Sequence, residues 1–415
     1  MKIAVCVAVL LCAAGSVFAQ SQLATVSGTI TDPSGSAVPG AKVHLVNTET
    51  GESWHAETEA AGTYFIPLVK PGTYTLTVDA NGFKKSTREG VHLETGDEAG
   101  IDMRLDLGSV NETVSVTAEA PLLKSETSAV AAVVENRTIV NMPLIDRRAA
   151  QLAKLNGFVV QGAGSATDFS IAGGRSDNAM WIIDGGNAQN VTLGNPQLEF
   201  DPPVEALQEF NVSISNYAAE LGRTGGGVIQ MTTKSGTNQF HGSLYEYFRN
   251  DDLDARSFFA ASKPILRYNL FGASLGGPIR KDKTHFFFNY EGRRQTSASA
   301  VLVNLPTPQE TRGDFSDLST PIRDATTPGR PVVAHNVIPT PKLDPLGLKL
   351  AAFYPAPNVA GRPSGSSNYA ANQVSINPSN TYVARIDQVF GDKDRAYGRA
   401  LINTGSGNKL PYFPT

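Results

Sequence analysis

Between Thr284 and Arg294 the chain reads THFFFNYEGRR, and its side chains sort by parity. In an extended strand Phe286, Phe288 and Tyr290 fall on one face, and Phe287, Asn289 and Glu291 on the other. TYVARIDQVF repeats the pattern, with Tyr382, Ala384 and Ile386 opposite Arg385 and Asp387. An apolar-out, polar-in dyad is the signature of a membrane barrel, weak in any one segment. After Gly236 five strands are predicted, over 242–249, 268–279, 284–294, 381–390 and 395–404. Each is near the roughly 9–11 residues that a tilted strand needs to cross a bilayer. Their connections alternate in length. Arg280–Lys283 and Asp392–Asp394 are short charged turns, whereas 250–267 and the Pro-rich stretch 297–380 are long. Short turns on one side and long loops on the other fit an outer-membrane barrel.

Upstream the periodicity changes twice. Residues 23–107 alternate apolar and polar positions between Pro-Ser-Gly and Pro-Gly turns. Val43 and Leu45 share a face, as do Tyr74, Leu76 and Val78, which predicts a small β-sandwich. From about Leu122 to Lys234, short helical stretches in VENRTIVNMPLIDRRAAQLAKLNG precede a strand over Ala179–Ile183, a helix-like turn feeding a strand in PVEALQEFNVSIS, and another in GGGVIQMTTKSG. Ile183 leads into an Asp184-Gly185 turn. This reads as a compact α+β domain of roughly a hundred residues. Gly225, Gly226 and Gly227 are expected where its backbone passes closely beneath the barrel.

The first twenty residues, MKIAVCVAVLLCAAGSVFAQ, read as a secretory signal peptide: Lys2, an apolar run, and a Val17-Phe18-Ala19 cleavage site. The two cysteines, Cys6 and Cys12, lie inside it, so the exported part carries no thiol. A net charge of -4 gives no footprint for nucleic acid. None of the six histidines begins an HExxH pattern, and no metal or cofactor site is expected. Gly272-Ala273-Ser274-Leu275-Gly276 fits G-x-S-x-G, but Gly277-Pro278 and a charged turn follow where a hydrolase needs a helix. No catalytic residue is expected, and the chain does not read as an enzyme.

Gly28-Thr29-Ile30-Thr31-Asp32, Pro39-Gly40-Ala41, Gly62-Thr63-Tyr64 and Pro71-Gly72-Thr73-Tyr74 resemble the carboxypeptidase regulatory-like domain, a non-catalytic Ig-like or transthyretin-like sandwich. Across SIAGGRSDNAMWIIDG, ALQEFNVSISNYAAELGRTGGGVIQMTTKSGTNQFHGSLYEYFRNDDLDARSFF, NLFGASLGGPIRKDKTHFFFNYEGRRQ and RIDQVFGDKDRAYGR, the chain resembles the Oar-like family of TonB-dependent outer-membrane receptors. That resemblance implies a mainly β architecture: signal peptide 1–20, sandwich 21–108, linker 109–121, α+β plug 122–236, and the first strands of an antiparallel transmembrane β-barrel over 237–415. It implies the outer membrane as location and passage of an unidentified extracellular ligand, energised by TonB of the inner membrane. The lipid of that membrane is the remaining partner, and the sandwich is expected in the periplasm.

Glu112, Thr113, Val114, Ser115, Val116, Thr117 and Ala118 read ETVSVTA. By pattern alone they are either a last sandwich strand, an extended linker, or an exposed strand that another protein captures on its sheet edge. The resemblance implies the last, a TonB box. Arg147, Arg148 and Arg175 are candidates to line a ligand path or to pair with plug carboxylates. Related barrels close with about 22 strands, so five imply a fragment. An exported binding or adhesion protein, built from sandwich and plug, is the alternative.

Overall fold

The computed structural model describes residues 23–108, 113–117, 130–162, 168–175, 178–190, 197–198, 201–217, 221, 224–256, 263–361, 365–391 and 394–410. The signal-peptide segment, Glu112, Ala118 and the Asp392-Lys393 turn lie outside them. Contacts divide the chain into two compact units. One holds Met1–Leu244, Ala273–Tyr290 and Thr381–Asn403; the other holds Tyr245–Gly272, Glu291–Asn380 and Thr404–Thr415.

In the first unit, β1 (Ala24–Thr31), β2 (Lys42–Asn47), β3 (Ser53–Glu57), β4 (Thr63–Val69), β5 (Gly72–Asp79), β6 (Lys85–Leu93), β7 (Glu98–Gly100), β8 (Met103–Arg104) and β9 (Thr113–Thr117) build the sandwich. One sheet runs β4–β1–β7, with β8 also on β1; the other runs β3–β2–β5–β6–β9. The alternation read from the sequence is the reason. Val43, Leu45, Tyr74, Leu76 and Val78 all have zero exposure and share one core cluster with Ile30, Ile66 and Val91. Each such side chain contributes about 1.5–3 kcal/mol by leaving water. Tyr64 and Tyr74 keep their hydroxyls satisfied, donating to the carbonyls of Ile101 (2.8 Å) and Lys70 (2.6 Å). Burial raises the pKa of both phenols.

The segment expected as the plug, called the plug below, holds β10 (Val130–Glu135), β11 (Val159–Gln161), β12 (Phe169–Ile171), β13 (Met180–Ile183), β14 (Gly186–Asn187), β15 (Gln189–Asn190), β16 (Gln197–Leu198), β17 (Leu207–Ser215) and β18 (Val228–Thr233). Its main sheet runs β10–β17–β18–β13–β14, with β13 parallel to β18. A short helix, Asn136–Asn141, and a 3-10 turn, Ala149–Leu155, cover it through Ile139, Ala149 and Leu152. Asp184 and Gly185 both take positive φ (46° and 81°), turning β13 into β14 as the Asp-Gly pair requires. Gly227 also has φ near +84°, and a side chain there would stand 2.8 Å from the Ser213 carbonyl oxygen. Its close neighbours, Ser213 and Ile171, are plug residues. The glycine run therefore serves the plug's own packing, not passage beneath the barrel. That passage falls to Gly236, where a Cβ would lie 2.3 Å from the Phe286 carbonyl oxygen and 2.6 Å from that of Gly277.

After Gly236 come β19 (His241–Asn250), β20 (Leu266–Arg280), β21 (Thr284–Val303), β22 (Tyr369–Ile376), β23 (Ser379–Val389), β24 (Arg395–Gly405) and β25 (Asn408–Lys409). The sheet follows β19–β20–β21–β22–β25, while β23 pairs with both β21 and β24. Burial alternates as expected: His285, Phe287 and Asn289 are buried on β21, as are Val383, Arg385 and Asp387 on β23. Phe288, Tyr382 and Ile386 are exposed. Among the described residues no helix is long and apolar enough to cross a membrane.

Two boundaries differ from the sequence reading. β21 has 20 residues and rises about 65 Å at ~3.3 Å each, about twice a bilayer's hydrocarbon core. Its far half, Thr296–Val303, pairs antiparallel with β22. Residues 297–303 and 369–376, expected in a loop, are thus strands, and the connection shrinks to 304–368. Asn368 ties off that loop inside the second unit. It is fully buried and exchanges two 2.8 Å hydrogen bonds with Leu305, one through each side-chain amide atom.

Candidate functional site

The buried face of β23 carries a charge cluster. Arg385 grips Asp387 with two parallel bonds, Nε to Oδ2 at 2.9 Å and Nη2 to Oδ1 at 3.0 Å. Residues two apart share a strand face, so an R-x-D sequence places this fork by itself. The remaining guanidinium nitrogen, Nη1, donates to the Thr233 carbonyl at 3.0 Å and to its hydroxyl at 3.1 Å, and lies 3.4 Å from Asp184 Oδ1. Thr233 ends the last plug strand and Asp184 begins the β13–β14 turn, so one barrel arginine engages two plug elements. Arg399 on β24 holds the other Asp184 oxygen at 2.9 Å, and the Tyr397 ring stacks 4.8 Å from Arg385.

The cluster extends to the sandwich. Lys70 stands 3.3 Å from Asp387 and 3.2 Å from Glu52, and Arg395 closes on Glu52 at 2.6 Å while lying over the Trp54 ring. Arg385, Arg395, Arg399 and Lys70 thus face Glu52, Asp184 and Asp387. Burying these groups costs desolvation, which the Arg385–Asp387 fork and the Thr233 hydrogen bonds offset. Beside them a cavity of about 1380 Å³ opens, lined by Lys70, Asp184, Lys234, His285, Arg385 and Tyr397 among others. Burial pushes the Lys234 ammonium below its ordinary pKa, and Glu205 pulls it back.

A second contact joins sandwich and plug. The Thr95 amide and hydroxyl donate to Glu209 Oε2 at 2.9 and 2.7 Å. Glu209 is 3 % exposed, and burial raises its pKa to about 7 against the lowering effect of those two bonds.

The residues singled out in the sequence do not converge. Thr113–Thr117 form β9 and pair in parallel with Lys85–Glu89 of β6, at the edge of the larger sandwich sheet. Arg147 is buried and bonds Glu205 at 2.7 Å, while Arg148 bonds Asp201 at 3.0 Å. The Arg175 carbonyl accepts a hydrogen bond from the Asn178 amide at 3.1 Å. Ser274 sits inside β20, not on a strand-to-helix turn, and shares a 2.8 Å hydrogen bond with Ser243. Sequence reading placed Arg385 and Asp387 on the polar face but missed their partners. Glu52, Lys70, Arg395 and Arg399 carry no local signal beyond charge, because three separate segments meet here.

Two family models match the chain. Residues 25–106 match the carboxypeptidase regulatory-like domain, and residues 232–415 match the outer membrane beta barrel domain. The chain is 28 % identical over 291 residues to the TonB-dependent transporter Oar of Myxococcus xanthus, which covers 66 % of this chain and 27 % of that protein. The chain therefore spans about a quarter of the length of that relative. Among solved structures it is similar to the ferric enterobactin receptor PfeA (TM-score 0.37, 13 % identity, 67 % of this chain and 33 % of that one). It is likewise similar to the outer membrane transporter YddB of Escherichia coli (TM-score 0.38, 13 % identity, 63 % and 31 %). The protein is thus mainly β, an outer-membrane homologue of an Oar-type TonB-dependent transporter with an N-terminal regulatory-like domain.

Proposed function

We propose that this chain acts in a TonB-dependent outer-membrane transporter, non-enzymatic, in which the plug gates a barrel for an extracellular ligand. The observation that carries the reading is the Arg385 junction. A plug keyed into the polar inner face of membrane strands through a buried guanidinium is a gate that a pull on the plug could loosen. The force would arrive through Glu112–Ala118 as a TonB box. Support for that assignment is its extended conformation over Thr113–Thr117 at a sheet edge, where a further strand can add by main-chain hydrogen bonding. Arg147, Arg148 and Arg175 are proposed for the plug's part of the ligand path, with Glu205 and Asp201 holding the first two in place.

The test uses the full chain in outer membranes and the periplasmic domain of TonB. Proline at Val114 or Val116 removes a backbone donor and is expected to abolish capture while leaving membrane insertion intact. Capture at the wild-type level in both variants would refute the TonB-box assignment.

A further inference from the structure

We infer that His92, Glu94 and Glu135 form a binding site for a divalent transition-metal ion of the zinc class, where the sandwich meets the first plug strand. His92 lies on β6 directly opposite Thr73 of β5 and faces away from the core, since Val91 and Leu93 on either side are buried. Its Nδ1 stands 3.4 Å from the Thr73 hydroxyl. With the ring proton on Nδ1, donated to that hydroxyl, the Nε2 lone pair is left as a ligand. Nε2 in turn points at Glu135 Oε1, 3.8 Å away across the sandwich–plug junction. With Glu94 included, one donor atom from each residue lies within 4.8 Å of the others.

Those separations are close to what an ion needs. Zinc bonds of about 2.0–2.2 Å place tetrahedral donors roughly 3.4 Å apart. Side chains that are 46 % and 58 % exposed, as His92 and Glu135 are, can close the difference by rotation. Glu135 gives a second indication. It occupies the position before the Asn136–Asn141 helix, yet its carboxylate makes no capping hydrogen bond and is directed to the imidazole. Two carboxylates and a neutral imidazole present a charge of minus two to a dication. The nitrogen ligand favours zinc over magnesium or calcium, which take oxygen. Bound there, the ion would pin the end of β6 to the end of β10, beside the Thr95–Glu209 contact.

The measurement is calorimetric titration of the chelator-stripped full chain in detergent with Zn2+, and with Mg2+ as the control ion. One Zn2+ per chain is expected. His92→Ala and Glu135→Gln are each expected to weaken it at least ~10-fold, the low end for changes in metal-site residues. The exposed His44–His55 pair, with Nδ1 atoms 2.6 Å apart, is the competing location. His55→Ala should leave the affinity unchanged. Absence of Zn2+ binding, wild-type affinity in both His92→Ala and Glu135→Gln, loss in His55→Ala, or equal affinity for Mg2+ would each overturn the inference.

Discussion

Arg385 Nη1 donates to the carbonyl oxygen of Thr233 at 3.0 Å, so a barrel strand is bonded to the last residue of the last plug strand. Removing the guanidinium leaves Asp387 and Asp184 inside with part of their charge compensation gone. Arg385→Ala is expected to destabilise the first unit by about 3–5 kcal/mol, the usual cost of breaking a buried pair from one side. Denaturant unfolding of the detergent-solubilised chain, followed by Trp54 and Trp181 fluorescence, measures it. Arg385→Lys should recover only part, because an ammonium cannot form the fork with Asp387.

The sandwich–plug contact carries its own pH dependence. Burial raises Glu209 from 4.5 to about 7, so the folded state holds a proton that the unfolded state has released. Its contribution is fully present below pH 4.5 and is lost as pH rises through 7. Thermal unfolding between pH 4.5 and 8 is expected to show stability falling with pH. The full shift corresponds to roughly 3 kcal/mol. Glu209→Gln, which keeps an acceptor for Thr95 and cannot ionise, should flatten that slope.

Gly236 is expected to be intolerant of any side chain. An added Cβ meets two backbone carbonyl oxygens at 2.3 and 2.6 Å, and backbone cannot rotate aside. Gly391, two residues past the end of β23, has nothing within 4 Å of its would-be Cβ. Gly236→Ala should therefore lower the yield of folded, membrane-inserted protein sharply, while Gly391→Ala should match wild type. Heat-modifiable migration on gels after outer-membrane extraction separates the two outcomes.

Periodicity made the sandwich core and the barrel faces legible, because alternation is local: Val43 with Leu45, and Arg385 with Asp387, need only their neighbours along the strand. Turn chemistry fixed Asp184-Gly185 for the same reason. β22 was hidden because YAANQVSI has few large apolar residues and pairs with the far end of β21, a contact set by the partner. The charge cluster was illegible beyond its R-x-D core. Glu52, Lys70 and Asp184 are ordinary surface residues by sequence and become buried partners only when sandwich, plug and barrel strands meet. The glycine run announced close approach correctly and its neighbours wrongly, since φ is a local property and contact is not.

On the proposed function, β19 to β24 lie in lipid with one wet and one apolar flank. Single cysteines at each position from Tyr382 to Asp387, in a chain whose own cysteines, Cys6 and Cys12, precede the sandwich, test it directly in proteoliposomes. Spin labels at Tyr382, Ala384 and Ile386 should relax faster with lipid-soluble oxygen, and those at Val383, Arg385 and Asp387 should not. A period of two in oxygen accessibility is the predicted result; uniform accessibility to a water-soluble nickel chelate along the whole segment would contradict it.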